Sequence, residues 1–199
     1  MRILPAGNNR KQSNQGFSLI EILIVIALLS IVSIVIVPRV SNIFDNSQKN
    51  LSLVSSMVVK TFDDAFINNR INFLAVHLYF TSVTEFDDQN KEILERSNGI
   101  SVVNVSPEGL LIDSQNKMLK PRQFSSGFMI NRVLLDDGSD ISSGTALIPF
   151  YPDGFSKNAI IHVTLNDTER YSIIISKLMK YPYTKEGHID FESMWKSGF

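Results

Sequence analysis

The sequence contains no cysteine, only three histidines and a single tryptophan among its 199 residues. Without cysteine the chain forms no disulfide, no thiolate metal site and no cysteine nucleophile. The same absence does not decide the redox compartment, because secreted proteins also fold without disulfides. An excess of either charge is missing too, since 19 basic and 20 acidic residues leave a formal net charge of −1. The chain as a whole therefore has no positive field to attract nucleic acid.

Sequence patterns of known catalytic sites are also missing. The histidines are His77, His162 and His188, and no two of them have the four-residue spacing of a helical metalloprotease site. The G-x-S-x-G elbow of many serine hydrolases does not occur. We therefore predict no enzymatic activity and no cofactor.

One acidic turn is a weak candidate for a metal site. Asp136, Asp137 and Asp140 cluster within five residues, and carboxylate oxygens are the ligands that calcium prefers. Their spacing does not match the calcium loop of an EF-hand. A solvated acidic turn is therefore the preferred interpretation.

Hydrophobic residues are concentrated near the N-terminus. Met1–Gly16 is polar and carries three basic residues, whereas 17 of the 21 residues in Phe17–Val37 are apolar. As a helix this segment would be roughly 31 Å long at ~1.5 Å per residue, enough to cross a hydrocarbon core of about 30 Å. It is longer than the apolar region of a cleavable secretory signal, and its small residue Gly16 precedes the apolar run. We predict a single-pass anchor whose basic N-terminus stays in the cytoplasm.

Glu21 is the one charged residue inside this apolar segment. An unpaired carboxylate there costs about 2–3 kcal/mol or more, so it is by default a candidate functional residue. The alternative is a side chain close enough to the interface to reach water. Both interpretations remain open on the residues alone.

The residues around Glu21 resemble a known signal. Gly16-Phe17-Ser18-Leu19-Ile20-Glu21, followed by an unbroken apolar run up to Pro38, is similar to the class III signal of type IV prepilins and type II secretion pseudopilins. The resemblance implies cleavage after Gly16 by the prepilin peptidase and N-methylation of the new Phe17 amine. It also implies that Glu21 pairs with the Phe17 amine of a neighbouring subunit during filament assembly.

The sequence after the apolar segment predicts a helix followed by strands. Pro38 costs a helix roughly 3 kcal/mol, so it predicts a kink or a stretch that melts when subunits pack. Apolar residues then recur at three- and four-residue spacing from Val40 to Phe66, which indicates an amphipathic helix that stops at Asn68-Asn69. Strands are predicted at Asn72–Phe80, Ile100–Val105, Leu110–Ile112, Phe128–Leu135, Ala146–Tyr151, Ala159–Leu165 and Tyr171–Ser176.

Together these elements predict an α+β, pilin-like fold in which a long N-terminal hydrophobic helix packs on an antiparallel head of one or two sheets. The predicted parts are a cleaved leader at 1–16, a transmembrane helix half at 17–37, an amphipathic half at 38–69 and a periplasmic β-rich head at 70–199. The stretch around Glu85–Asp88 is predicted to be an exposed loop.

The head contains a second, looser resemblance. Phe150-Tyr151-Pro152-Asp153-Gly154 and the strand pair after it are similar to the F-x-P-D-G turn and terminal hairpin of H-type minor pseudopilins and FimT-like pilins. The tail, Lys177–Phe199, carries several aromatic residues. We expect the tail to pack on its own sheet, with presentation to another subunit or to exported cargo as the alternative.

These observations predict a structural minor pseudopilin of a type II protein secretion system, stored in the bacterial inner membrane and assembled into the periplasmic pseudopilus. Its implied partners are other pilin and pseudopilin subunits, the prepilin peptidase and methyltransferase, the inner-membrane assembly platform, and exported cargo or the secretin. The alternative is a minor or major subunit of a type IV pilus or DNA-uptake filament. The leader carries no acidic residue, so its removal leaves an acidic mature chain that disfavours binding of nucleic acid. A membrane-anchored periplasmic enzyme or binding domain is the remote alternative.

Overall fold

The computed structural model describes residues 19–81, 89–125 and 127–196, with the side chains of residues 33–47, 195 and 196 left aside. The predicted loop at Glu85–Asp88 lies outside the described residues. Contacts divide the chain into two compact units, with the boundary between Asn42 and Ile43. The second unit holds all of the sheets, and it begins inside the long helix rather than after it.

Helix α1 (Leu19–Ile67) contains 49 residues. In its second half the predicted apolar spacing is confirmed, since Val54, Met57, Val58 and Ala65 are all buried. The prediction fails at Phe66, which is 64% exposed. A helix turns about 100° per residue, so the step from Ala65 to Phe66 takes Phe66 beyond the covered face on which Ala65 and Val58 lie.

Helix α1 ends where the sequence predicts. Asn69 has a φ of 48°, a left-handed conformation that asparagine adopts more readily than most residues. The amide of Arg70 then donates to the carbonyl of Ala65 at 3.1 Å. This bond uses one of the carbonyl groups that the end of a helix leaves without an intrahelical partner.

The head consists of two antiparallel sheets. In the described part of the chain, the strands are β1 (Asn72–His77), β2 (Gly99–Val105), β3 (Leu111–Asp113), β4 (Arg122–Gln123), β5 (Phe128–Leu135), β6 (Asp140–Ile141), β7 (Thr145–Phe150), β8 (Ala159–Leu165), β9 (Glu169–Ile175) and β10 (Tyr183–Glu186). The first sheet has the order β3-β2-β1-β7, with β4 paired to the start of β2. The second sheet has the order β10-β9-β8-β5-β6.

The main core contains apolar side chains from helix α1 and from both sheets. Successive side chains of a strand point to opposite faces of the sheet, so every second residue of a strand lies in this core. Examples are Leu74 and Val76 of β1, and Ile161 and Val163 of β8. The outer faces of the sheets carry two smaller apolar clusters. Ala75 and Val103 meet Ile93 of the short helix α2 (Lys91–Leu94) on the first sheet. Strands with apolar residues on both faces therefore account for the nearly continuous apolar runs in the sequence.

The strands predicted at Phe128–Leu135 and Ala159–Leu165 have the predicted bounds, and most of the others are shifted by one or two residues. The first strand is shorter than predicted, because it ends at His77 rather than at Phe80. The amide of Tyr79 donates to the carbonyl of Ile130 in the second sheet at 2.8 Å, so the chain leaves the first sheet there. The sequence also did not predict β4, β6 and β10, which contain two to four residues and have too few residues to show a period.

Candidate functional site

The first turns of helix α1 have apolar side chains exposed on all sides. Every residue from 19 to 32 is exposed, and twelve of these fourteen residues are apolar. Leu19 is 83% exposed, and Leu23 and Ile31 remain above 60%. A helix that is apolar all round is normally buried in a large core or in a membrane. This surface therefore needs a cover of lipid or of other apolar helices.

Two polar side chains interrupt this apolar surface. Ser30 donates its hydroxyl proton to the carbonyl of Ile26 at 2.8 Å, so its hydroxyl donor is satisfied within the helix and fits an apolar surrounding. Glu21 lies in the first turn of the helix and is exposed. The positive end of the helix dipole favours a carboxylate at this position, by about 0.3–1 kcal/mol.

The structure gives less detail for the other residues that are predicted to act in processing and assembly. Gly16 and Phe17 lie outside the described residues. Pro38 lies within helix α1, whose backbone continues through it. Within the described ranges, no helix is both long and apolar enough to cross a membrane.

His77 is buried in the first sheet and is held by two hydroxyl groups. Its Nδ1 lies 2.8 Å from Thr145 Oγ1 and its Nε2 lies 2.9 Å from Ser101 Oγ. The hydroxyl of Thr145 donates its single proton to the carbonyl of Leu94 at 3.0 Å, so it accepts from His77 Nδ1–H. A neutral His77 then accepts from Ser101 through Nε2. The side chain is 1% exposed, so it is enclosed by the head, and these two hydroxyl groups are hydrogen-bond partners of its ring nitrogens.

The surroundings of His77 oppose its protonation. Burial, together with the positive charge of Arg96, lowers the pKa of His77 to about 4, although Asp113 acts in the opposite direction. Arg96 is itself fixed by a two-fold hydrogen bond to Asp113, with both N–O distances at 2.7 Å.

The stability of the head is expected to fall as the pH is lowered from about 6.5 to about 4. In that window the unfolded chain protonates His77 while the folded chain keeps it neutral, so the unfolded state binds more protons. The shift of the His77 pKa from 6.5 to about 4 corresponds to a loss of about 3 kcal/mol in the free energy of unfolding. The full loss is reached only at pH values below the pKa of His77 in the folded state. Urea unfolding of the full chain in detergent, followed by circular dichroism at several pH values, measures this slope.

The variant His77→Gln is the control for this prediction. It cannot take up a proton, so it should be less stable than the wild type at pH 7.5 but show a shallower decline down to pH 4. An identical decline in both proteins would show that other groups cause the pH dependence.

The acidic turn is committed to ion pairs and backbone bonds within the head. Asp137 pairs with Lys157, and Asp140 forms a two-fold pair with Arg132. The ion pair with Lys157 holds the pKa of Asp137 far below its usual value, and Arg132 lowers the pKa of Asp140. Asp136 accepts a hydrogen bond from Asn158 Nδ2 at 2.9 Å.

The three carboxylates of the turn therefore have separate partners. Within the described residues, no group of three or more histidine, aspartate or glutamate side chains could hold a metal ion.

The F-x-P-D-G turn lies against helix α1. Phe150 is 1% exposed and belongs to the main core. Gly154 has a φ of 86°, which a residue with a side chain rarely adopts, and its backbone lies close to the ring of Phe62. The local reason for glycine at this turn is therefore conformational.

Asn98 joins the two sheets, and the sequence analysis did not single it out. It immediately precedes β2 in the first sheet and is 6% exposed. Its Nδ2 donates to the carbonyl of Phe128 at 2.8 Å, and its Oδ1 accepts from the amide of Ile130 at 3.0 Å. Both partners belong to β5 of the second sheet. The Asn98-Gly99 pair is a turn signal, but nothing in it indicates a partner 30 residues away.

Asp64 organises a second buried polar cluster at the end of helix α1. Its carboxylate accepts hydrogen bonds from Arg70, Asn72 and Asn116, each at 2.9 Å. Burial raises the pKa of Asp64, but the hydrogen bonds from Asn116, Arg70 and Asn72 outweigh it and leave the pKa below the usual value. This cluster ties the helix to β1 and to the turn Lys117–Leu119.

The tail packs on the outer face of the second sheet, as expected for its described part. Ile189, Phe191 and Met194 contact the buried residues Leu134, Ile160 and Ile174. Phe191 and Met194 belong to the short helix α3 (Phe191–Lys196). Tyr181 remains 68% exposed and Tyr183 46% exposed. The side chain of Trp195 and residue Phe199 lie outside the described part.

An apolar groove runs between α3 and the connection from β9 to β10. Its volume is about 770 Å³. The residues that line it include Ile174, Met179, Tyr183 and, from α3, Phe191 and Met194. The other two histidines of the sequence are His162 of β8 and His188 of the tail. Their rings stack on each other.

The comparisons with known proteins agree with this arrangement. The family model of the prokaryotic N-terminal methylation motif matches residues 11–37. No curated protein matches the sequence. Two solved structures of the minor pseudopilin EpsH, from the type II secretion system of Vibrio cholerae, are similar to the chain. One aligns over 73% of this chain and 98% of EpsH, with a TM-score of 0.52 and 9% identity. The other aligns over 71% and 96%, with a TM-score of 0.45 and 8% identity.

The chain therefore carries the N-terminal methylation motif and has the fold of a minor pseudopilin. The predicted α+β fold and the resemblance to the prepilin and pseudopilin class, closest to H-type minor pseudopilins, are confirmed at the level of motif and fold. At 9% identity the likeness concerns the fold, and residue roles do not follow from it.

Proposed function

We propose that this protein is a structural minor pseudopilin of a type II protein secretion system. The observation that carries the proposal is the first part of helix α1, where exposed apolar side chains surround the helix and Glu21 is the only charge between residues 19 and 32. Such a surface is incompatible with a water-exposed helix but suits first a bilayer and then a bundle of similar apolar helices from other subunits.

The proposed cycle uses the N-terminal residues in order. The segment Phe17–Val37 anchors the chain in the inner membrane, with the head in the periplasm. The prepilin peptidase cleaves after Gly16 and the Phe17 amine is methylated. The match to the methylation motif over residues 11–37 supports this processing. The assembly platform then moves the subunit from the membrane into the pseudopilus.

Within the filament, Glu21 and Pro38 have separate proposed roles. Glu21 pairs with the Phe17 amine of a neighbouring subunit, which fixes the axial position of one helix against the next, because an unpaired charge in an apolar bundle is costly. Pro38 lacks an amide donor, so it marks the place where helix α1 can bend or unwind as subunits pack.

We propose that the head binds other proteins and does not catalyse a reaction. His77 is buried and hydrogen-bonded, and the carboxylates of the acidic turn pair with Arg132 and Lys157. These groups form contacts within the head that stabilise its fold. We propose that the partners of the head are other pseudopilin subunits, the secretin and exported cargo.

Processing at Gly16 gives the most direct test of the proposal. Intact-mass spectrometry of the chain purified from membranes should show residues 17–199 plus one methyl group. The variant Gly16→Leu should keep residues 1–16 and remain unmethylated, because the peptidase must approach the backbone at this junction.

The matched control is Gly7→Leu, which changes a glycine in the same leader away from the junction. It should be processed like the wild type. A wild-type chain that retains its leader, in a host with an active prepilin peptidase, would instead favour a membrane-anchored enzyme or binding domain.

A further inference from the structure

The segment that precedes α3 is fixed to the second sheet by a small set of polar contacts. The Gly187 amide donates to the carbonyl of Arg170 at 2.7 Å. The buried Ser172 donates its hydroxyl proton to the Gly187 carbonyl at 2.7 Å and accepts from the Ile189 amide at 3.0 Å. His162 Nε2 lies 3.0 Å from the Ile189 carbonyl. These contacts set the path of the chain just before α3.

Two imidazole rings stack at the centre of these contacts. The ring centroids of His162 and His188 are 4.4 Å apart and the planes differ by 4°. His162 is 1% exposed, whereas His188 is exposed and covers it. A carbonyl oxygen only accepts hydrogen bonds, so His162 donates through Nε2–H to Ile189. Two rings in parallel contact tolerate one positive charge between them far better than two.

Charged groups of both signs lie around the pair. Arg132 of β5 forms its two-fold pair with Asp140 of β6, and the carboxylate of Asp140 also interacts with His162. The negative charge of Asp190 in the tail also raises the pKa of Arg132. Arg170 of β9 adds a further positive charge near His188. In the strand register, Lys185 of β10 lies across from Ser172.

We propose that the stacked His162–His188 pair is a pH-dependent latch, which holds the tail from Gly187 to Met194 on the second sheet near neutral pH and releases it in acid. A proton on His188 places a positive charge against the His162 ring, 4.4 Å away, and near Arg170 and Arg132. Movement of His188 away from His162 relieves this repulsion, and it breaks the adjacent contacts of Gly187 and Ile189.

The direction of the pH dependence follows from the docked state. Burial, then the neighbouring His162, and then Arg170 and Arg132 lower the pKa of His188, against a hydrogen bond with Val163 that raises it. The docked tail therefore binds protons less readily than the free tail, so docking is complete above the ordinary histidine pKa and is lost as the pH falls below it.

Release changes the surface that the head presents. Ile189, Phe191 and Met194 would no longer cover Leu134, Ile160 and Ile174. The groove of about 770 Å³ would lose the wall formed by α3. An apolar face of the second sheet would then be open to contact in an acidic surrounding.

Amide hydrogen exchange of the full chain in detergent micelles tests the latch. Protection factors, corrected for the intrinsic effect of pH, are compared at pH 7.5 and pH 5.0 for the tail and for amides of β1 and β2. The Gly187 and Ile189 amides should lose protection severalfold at pH 5.0, because the free tail binds a proton more readily than the docked tail. The loss should exceed any loss in β1 and β2, which report unfolding of the whole head.

Two variants separate the latch from a general loosening of the tail. His188→Phe keeps a ring over His162 but cannot be charged, so the tail should stay protected at both pH values. Phe191→Ala weakens apolar packing, so it should lower protection at both pH values while the ratio between them stays at the wild-type value. Equal protection of the wild-type tail at both pH values, or an undiminished pH effect in His188→Phe, would overturn the proposal.

Discussion

Replacing Glu21 by alanine is expected to leave the chain processed, methylated and folded, but to remove it from filaments by on the order of 100-fold. If Glu21 pairs with the Phe17 amine of a neighbour in an apolar bundle, the variant leaves that amine buried without a partner. Breaking a buried ion pair by removing one side costs about 3–5 kcal/mol. A difference of ~3 kcal/mol corresponds to slightly more than a hundredfold change in an equilibrium constant.

The size of the effect distinguishes this role from a purely local one. Glu21 lies in the first turn of helix α1, where a carboxylate also stabilises the helix dipole by about 0.3–1 kcal/mol. A residue that only stabilised the start of its own helix would reduce incorporation by about fivefold at most when lost.

The measurement is the fraction of the chain that is recovered with sheared or cross-linked filaments when it is expressed with the other subunits of its system. Glu21→Asp keeps the charge on a shorter side chain and should retain part of the incorporation, whereas Glu21→Gln should behave like alanine. Glu108→Ala, at an exposed turn of the head, is the matched control and should incorporate normally. Normal assembly of Glu21→Ala would refute the pairing.

Replacing Asn98 by alanine is expected to destabilise the head by about 3–7 kcal/mol, which is enough to unfold a domain of ordinary stability. The variant leaves the Phe128 carbonyl and the Ile130 amide without their partner in the interior, at about 1–3 kcal/mol each. Asn98 also has a φ of 46°, so alanine adds about 1 kcal/mol of backbone strain.

Urea unfolding of the full chain in detergent, followed by circular dichroism at pH 7.5, measures this loss. Asn98→Gly removes the side chain but tolerates the backbone, so it should be more stable than the alanine variant and still well below the wild type. Asn69→Ala is the matched control, because Asn69 has a nearly identical φ of 48° but lies exposed at the end of helix α1. A loss at Asn98 no larger than the loss at Asn69 would show that the contact between the sheets contributes little.

The sequence predicted the elements whose signal is local. The apolar run after Gly16 and the single carboxylate at Glu21 indicated the prepilin class, and the motif match over residues 11–37 agrees with that indication. The pair Asn68-Asn69 marked the end of helix α1, because a left-handed residue stops a helix whatever lies around it. The strand Phe128–Leu135 kept its predicted bounds, since apolar residues on both faces leave few other conformations.

Other elements could not be predicted, because they depend on contacts with residues that are distant in the sequence. The strands β4 and β6 contain two residues each, too few for any periodicity, and they exist because β2 and β5 supply hydrogen bonds. Phe66 follows the same apolar spacing as its neighbours, yet it is exposed because the sheets cover only one face of helix α1.

What the sequence determined by itself is therefore the order of parts: a polar N-terminus, an apolar helix with one charge, and a cysteine-free β-rich head. Only the tertiary structure decided that Asn98 joins the two sheets, that His77 is a buried and neutral hydrogen-bonding group, and that His188 stacks on His162. Helical and strand periods follow from each residue's immediate neighbours, whereas these contacts join residues 24 to 68 positions apart. The absence of cysteine, which excluded disulfides at the outset, means that such contacts and the shared apolar core hold the head together.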